Sequence, residues 1–245
     1  MMIFLIPSAK EMNVDTPTYP QPLSPESQTL VNHIALLSPK ELATAYKIKI
    51  PVAEIEYQRW QDLKNGQAKT YPAAYLFNGL MYRHLRQKPF TSAEEDYLAK
   101  QTFITSSLYG VTPLFDPMAP HRLDFNNKFS INGQSLKNYW RPAYDHFAQM
   151  TSQPIISLLS SEFEDIFSPK VRENFYQLKF MEEKDGQLKT HSTISKKARG
   201  QLLYQAAHKN CQTIDDLKSL TFDHFSYQAD LSTERHLVFI KHQSP

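Results

Sequence analysis

Apolar positions along this chain recur with two periods, and they divide it into helical and strand-like stretches. Spacing of three and four, with turn residues between, predicts helices over 25–37, 39–47 and 52–64. A further helix starts at Thr91 or Ser92, where Glu94 and Glu95 fit a capping box, and is expected to run to about Leu108. Another follows Asn132-Gly133 over 135–150, and Thr213 with Asp216 marks a short late one. Continuous or alternating apolar runs predict strands over 2–6, 74–77, 154–159 and 237–241. Segments 175–182 and 187–194 flank Asp185-Gly186 and read as a hairpin. Strands and helices interleave without a regular βαβ rhythm, so the expectation is a single α+β domain over 1–245, a mixed sheet surrounded by helices.

Composition narrows the class. The 245 residues are 41% hydrophobic and include 15 Phe and 13 Tyr, which is globular rather than disordered. A formal net charge of +2 gives little long-range pull on a polyanion, so any nucleic-acid contact has to come from where the charges sit. One cysteine, Cys211, offers no disulfide framework and reads as a small buried hydrophobe. The apolar start over 1–6 is too short for a signal-peptide core, and no run reaches the length of a membrane span. A cytoplasmic protein with no membrane partner is expected.

Charge placement singles out Ser195-Lys196-Lys197-Ala198-Arg199-Gly200. With Ser195 read as an N-cap, the helix extends from Lys196 to about Asn210 and adds three cations to its own positive pole. Such a start is suited to an anion, phosphate above all. The stretch 186–212 has five Lys or Arg and no Asp or Glu. A solvated basic helix face is the other reading of the same residues. Gly200 inside this helix points to the close approach of another backbone or a ligand.

Two more stretches carry candidate chemistry. Tyr109-Gly110 follows a predicted helix, and Pro113 can restart one, the layout of a helix-hairpin-helix module that holds phosphate through backbone N–H groups. An ordinary helix cap with a buried Tyr109 fits as well. Ser160-Ser161-Glu162 after the strand at 154–159 is a strand-to-helix junction, where Glu162 serves as an acid/base group or simply as a dipole-compatible cap residue. Lys10 stands at the carboxyl end of the first strand. Six glycines leave no Walker A loop or dinucleotide fingerprint, and the nine histidines form no metal-ligand spacing, so no metal, cofactor or catalytic set is assigned.

Five ordered blocks together resemble the YaaA peroxide-stress protein family: Leu5-Ile6-Pro7-Ser8-Ala9-Lys10, the run from Leu108-Tyr109-Gly110-Val111 to Pro120-His121-Arg122-Leu123, Tyr139-Trp140, Ser160-Ser161-Glu162 and the basic block at Ser195. The resemblance implies a cytoplasmic protein with an α+β fold, a positive cleft and an embedded helix-hairpin-helix element. It also implies binding to duplex or branched DNA independent of sequence, and a part in limiting damage from peroxide and iron. Carried over by position, Lys10, Tyr109, Gly110, Arg122, Lys196, Lys197 and Arg199 would contact DNA. Thr112 departs from members with a basic residue near the hairpin. The rival reading is an enzyme on a phosphorylated or nucleotide-like small molecule, using Glu162 and the cations from Lys196 to Arg199.

Overall fold

Ile3–Pro7 (β1) shows why the sheet is built as it is: the strand is apolar throughout, and all but its last residue are buried. Successive side chains of a strand face opposite sides of a sheet. Here Met2, Phe4 and Ile6 enter one core, and Ile3 and Leu5 enter another. A strand covered on both faces has to be apolar at every position, the pattern of a parallel sheet between helical layers. The structure is a computed structural model that describes residues 1–184 and 186–242.

After β1 come the helices Pro25–Ile34 (α1), Pro39–Tyr46 (α2) and Ile50–Lys64 (α3). The short strand Tyr71–Pro72 (β2) precedes Ala73–Leu76 (α4), Leu80–Leu85 (α5) and Ser92–Gln101 (α6). Thr102–Ser106 (β3) and Gly110–Pro113 (β4) form a hairpin, and Pro117–Met118 (β5) pairs with β2. Ser130–Ile131 (β6) and Gln134–Ser135 (β7) make a small ladder that leads into Leu136–Met150 (α7). Ile155–Ser157 (β8), Ser161–Glu164 (α8) and Pro169–Arg172 (α9) follow. The last third holds Tyr176–Lys184 (β9), Gln187–Lys189 (β10), Ser192–His208 (α10), Ile214–Lys218 (α11), Phe225–Tyr227 (β11) and His236–Lys241 (β12).

The main sheet has the order β11-β12-β9-β8-β1-β3-β4, with β10 paired to β9. Its five inner strands, β12, β9, β8, β1 and β3, run parallel, while β11, β10 and β4 are antiparallel additions. Side chains of α5, α6, α10 and α11 fill the core on one face, and those of α1, α2, α3 and α7 fill the other. This is the expected α+β architecture with a mixed sheet. Thr91 with Glu94 and Thr213 with Asp216 close the capping boxes read from the sequence, and Ser38 with Glu41 forms a third.

Four local expectations are corrected. The helix expected to reach Leu108 stops at Gln101, because the β-branched run Thr102, Ile104, Thr105 pairs in parallel with β1. Gly110, at φ +75°, therefore opens the second strand of a β-hairpin, and Pro113 ends it, so the helix-hairpin-helix layout is not formed there. The apolar run 74–77 lies within and beside α4 rather than in a strand; four residues are too few for periodicity to decide. The strand expected over 187–194 ends at Lys189, and α10 begins at Ser192 with His191 as its N-cap. Ile194 packs on the same core as Ala198 and Leu202, so the apolar stripe starts one turn before Ala198 and Ser195 lies inside the helix rather than capping it. Asp185 of the hairpin signal lies outside the described residues; the strands that flank it, β9 and β10, do pair antiparallel.

Gly200 settles how α10 sits. A Cβ there would lie 2.1 Å from the carbonyl oxygen of Met81 and 3.0 Å from the Leu85 nitrogen, so the glycine lets α10 rest directly on the backbone of α5. In an open helix Gly→Ala stabilises by about 0.5–1 kcal/mol. Here the overlap is with backbone and dominates; overpacking of this kind costs about 1–3 kcal/mol. Gly200→Ala is expected to lower the denaturation midpoint, measured by circular dichroism in urea, whereas an unchanged or raised midpoint would show that no such contact exists.

Candidate functional site: a cleft at the carboxyl ends of β1 and β8

Strands β1 and β8 are adjacent and parallel, yet the chain leaves them in opposite directions: from β1 it goes on to β3, and from β8 to β9. Diverging connections open a crevice at the strand carboxyl ends, which is where open α/β sheets take ligands. A cleft of about 510 Å³ lies there. The loop after β1 contributes Ser8 and Lys10, the β8–α8 junction contributes Ser160 and Glu162, and α10 contributes Lys196 and Arg199. Gly79 and Met81 at the start of α5 complete it. Thr193, Lys196 and Arg199 are spaced by three and share one face of α10, which is why they line the cleft together. A Cβ on Gly79 would come 2.8 Å from that of Ala9, so this glycine lets the loop after β1 close against α5.

Charges in the cleft fall into paired and unpaired sets. Lys10 reaches Asp124, Nζ to Oδ2 2.8 Å, and that aspartate side chain is only 10% exposed. Arg83 pairs with Glu11 at 2.5 Å. Glu162 is half-buried, and its carboxyl pKa is raised, first by burial and then by Asp124, with Lys10 opposing. The Phe125 N–H acts on this carboxyl, while its Oε1 is shut from solvent and has no hydrogen-bond partner among the described residues. On α10, burial lowers the Arg199 guanidinium pKa, with Glu164 opposing, and its Nε is also buried without a partner. Glu164 accepts a short hydrogen bond from the Ser157 hydroxyl. Lys196 and Lys197 are exposed, and among the described residues no acid forms an ion pair with either.

The sequence-predicted residues thus divide. Lys10, Glu162, Lys196 and Arg199 meet in the cleft. Lys197 stands beside it, close enough to His84 on α5 to help lower that imidazole's pKa after burial. The three cations occupy the second turn of α10 rather than its first, so the free N–H groups of the helix end are not what gathers them. Tyr109, Gly110 and Arg122 lie elsewhere. The Tyr109 hydroxyl accepts from the Ala119 N–H at 2.9 Å and its ring packs on His121; burial pushes its pKa up to about 12. Gly110 lies under the Trp140 ring, whose Nε1 donates to the Ser107 carbonyl at 2.7 Å. Trp140 therefore clamps the β3–β4 hairpin, while the Tyr139 hydroxyl donates to the Glu26 carbonyl of α1. Arg122 sits against Glu56, beside Arg59. Gly79 lines the cleft and Asp124 pairs with its Lys10, and neither was assigned to a site from the sequence; the one available signal was the Asn78-Gly79 turn dipeptide after an apolar run.

Residues 2–231 match the sequence model of the family described as peroxide stress protein YaaA. The chain belongs to that family. It is 52% identical over 241 residues to the UPF0246 protein str1967 of Streptococcus thermophilus, covering 98% of both chains. To the UPF0246 protein MGAS10750_Spy1880 of Streptococcus pyogenes serotype M4 it is 50% identical over 244 residues, the full length of each. No helix among the described residues of this YaaA-family chain is long and apolar enough to cross a membrane.

Family membership raises the question of a redox-active thiol, and Cys211 does not have the surroundings of one. It is 3% exposed, packed in the core beside Leu217, and burial pushes its thiol pKa up to about 11. The thiolate is the reactive form. In the native protein Cys211 is expected to resist a thiol-modifying reagent at neutral pH and to label rapidly once denatured; rapid native labelling would show an accessible thiol. Glu162 yields a pH prediction. Because its folded pKa is raised, its contribution to stability is present below the ordinary carboxylate pKa and is lost as pH rises through the folded value. Glu162→Gln removes that loss. The variant is expected to melt with the parent near pH 4, about where a free carboxyl protonates, and above it at pH 8. A difference that grows toward acid would contradict the sign.

Proposed function

We propose that this protein serves the peroxide stress response in the cytoplasm by binding DNA through its phosphate backbone, duplex or branched and without regard to sequence, and so limits peroxide and iron damage. The observation that carries the reading is the pair of exposed, acid-free ammonium groups, Lys196 and Lys197, standing at the mouth of a cleft with Arg199 and Lys10. Ammonium groups held clear of carboxylates are free to displace counterions from phosphates. The contact set is narrower than the sequence suggests. Tyr109 and Gly110 are engaged in internal packing and Arg122 lies against Glu56, which favours a surface centred on α10 and the loop after β1. The interior of about 510 Å³ is the size of a small-molecule site, and a duplex lies across its rim.

Backbone contacts of this kind make affinity fall steeply with salt, by orders of magnitude over roughly 50–200 mM when several phosphates are neutralised. Duplex binding measured by fluorescence anisotropy is expected to show that slope and little dependence on base sequence. Lys196→Gln and Lys197→Gln should each weaken binding and lower the slope by about one. Glu162→Gln should leave affinity unchanged or raise it slightly. A flat salt response, or tight binding to one sequence alone, overturns the reading.

A further inference from the structure

The interior of the cleft differs from its rim in what it lacks. Buried polar atoms are nearly always hydrogen-bonded, yet two charged groups that line this space each hold a buried atom without a hydrogen bond among the described residues: Oε1 of Glu162, whose carboxyl is otherwise met by the Phe125 N–H, and Nε of Arg199. They come from different walls: Glu162 from the start of α8, Arg199 from the second turn of α10. The other charges here are already satisfied, Lys10 by Asp124 and Arg83 by Glu11. Lys196 and Arg199 are therefore the cations left to face a ligand, and among the described residues neither forms an ion pair. Two cations opposite one carboxyl group call for a ligand that is dianionic at one end and a hydrogen-bond donor at the other.

We infer that the cleft interior binds a phosphomonoester carried on a hydroxyl-bearing sugar, of the size of a nucleoside monophosphate, with Lys196 and Arg199 on the phosphate and Glu162 accepting from a sugar hydroxyl. A monoester carries about one more negative charge than the diester of an internal backbone linkage, and an arginine fork matches its oxygens in pairs. A carboxylate on a ribose hydroxyl is the arrangement that dinucleotide folds use at the same place in the sheet. Leu80 and Met81 also line the space and suit the face of a sugar or base. The volume, about 510 Å³, falls inside the range of roughly 300–1,000 Å³ usual for such ligands. Interior binding shares Lys196 and Arg199 with the DNA reading but does not require it, because Glu162 and the cleft volume serve only the small ligand. A free nucleotide and the terminal phosphate of a nucleic-acid strand share this chemistry.

Calorimetric titration of the full chain separates these sources. The probes are adenosine monophosphate, adenosine, inorganic phosphate, and one blunt duplex with and without 5′-phosphates. Adenosine monophosphate is expected to bind at least about tenfold more tightly than adenosine, a margin of about 1.4 kcal/mol. If the strand terminus is the natural source, the 5′-phosphorylated duplex should exceed its unphosphorylated twin by a similar factor. Lys196→Gln, at an exposed position that leaves folding intact, should reduce binding of the phosphorylated probe several-fold. Glu162→Gln should weaken adenosine monophosphate but not inorganic phosphate, a split that general loss of structure does not produce; the melting temperature of each variant is measured alongside. Equal binding of adenosine and adenosine monophosphate, or no binding of either together with no effect of the 5′-phosphate, overturns the inference. Salt-dependent duplex binding in that case still stands as the rim reading, while nucleotide binding without duplex binding removes the rim reading and keeps this one.

Discussion

The rest of the cleft depends on the approach of α10 to α5 at Gly200. With the Met81 carbonyl where a β-carbon would have to be, the two helices meet backbone to backbone, and the register of α10 along the sheet is fixed. That register puts Thr193, Lys196 and Arg199 on the cleft side and sends Ala198, Leu202 and Ala206 into the core. The same contact seats the start of α5, where Gly79 in turn admits the loop after β1. Two glycines thus bring three chain segments, far apart in sequence, to the carboxyl ends of β1 and β8. Neither glycine is there for a left-handed backbone angle; both are there because a side chain has no room.

Electrostatics in the cleft is local for the same reason. Net charge is only +2, so the field at a distance is weak, and at physiological salt exposed charges are screened beyond about 8 Å. What remains is contact-range chemistry, decided by which cation already has a partner. Lys10 and Arg83 are held by Asp124 and Glu11. Lys196 and Lys197 are uncommitted and wet; Arg199 forms no ion pair among the described residues, feels Glu164 and is largely dry. Water around the two lysines weakens each contact and makes it tolerant of geometry, as backbone binding needs. Around Arg199 the drier surroundings make a contact stronger and more exacting, which suits a single defined anion.

Much of this was legible in the sequence, and the failures have physical causes. The apolar run at Ile3 to Ile6 gave away a strand buried on both faces, and the boxes at Thr91 and Thr213 marked two helix starts, because these signals are local. Lys10, Glu162, Lys196 and Arg199 were recognisable as candidates because each stands at an element end or in an acid-free stretch. The strand at Thr102 was hidden because a helical pattern runs into it without a break, and only pairing with β1 decides its state. That one misreading also produced the helix-hairpin-helix expectation at Gly110. Asp124 was invisible because its partner, Lys10, is 114 positions away in the chain, and no periodicity links the two.

Tyr109, Gly110 and Trp140 also have a structural part. Trp140 covers Gly110 and holds the Ser107 carbonyl, while the Tyr144 hydroxyl donates to the Ser106 carbonyl at 2.8 Å. These bonds pin the β3–β4 hairpin to α7 on the sheet face opposite α10. β3 is the neighbour of β1 on the side away from β8, and Thr105 donates its hydroxyl to the Ile6 carbonyl at 3.1 Å and accepts the Ser8 N–H through its own carbonyl at 3.0 Å. A firm hairpin therefore holds β3, β3 holds the end of β1, and the end of β1 carries Lys10 into the cleft. A motif that looks like a contact surface in the sequence can act instead as the brace behind one, and burial of the aromatic rings is what tells the two apart.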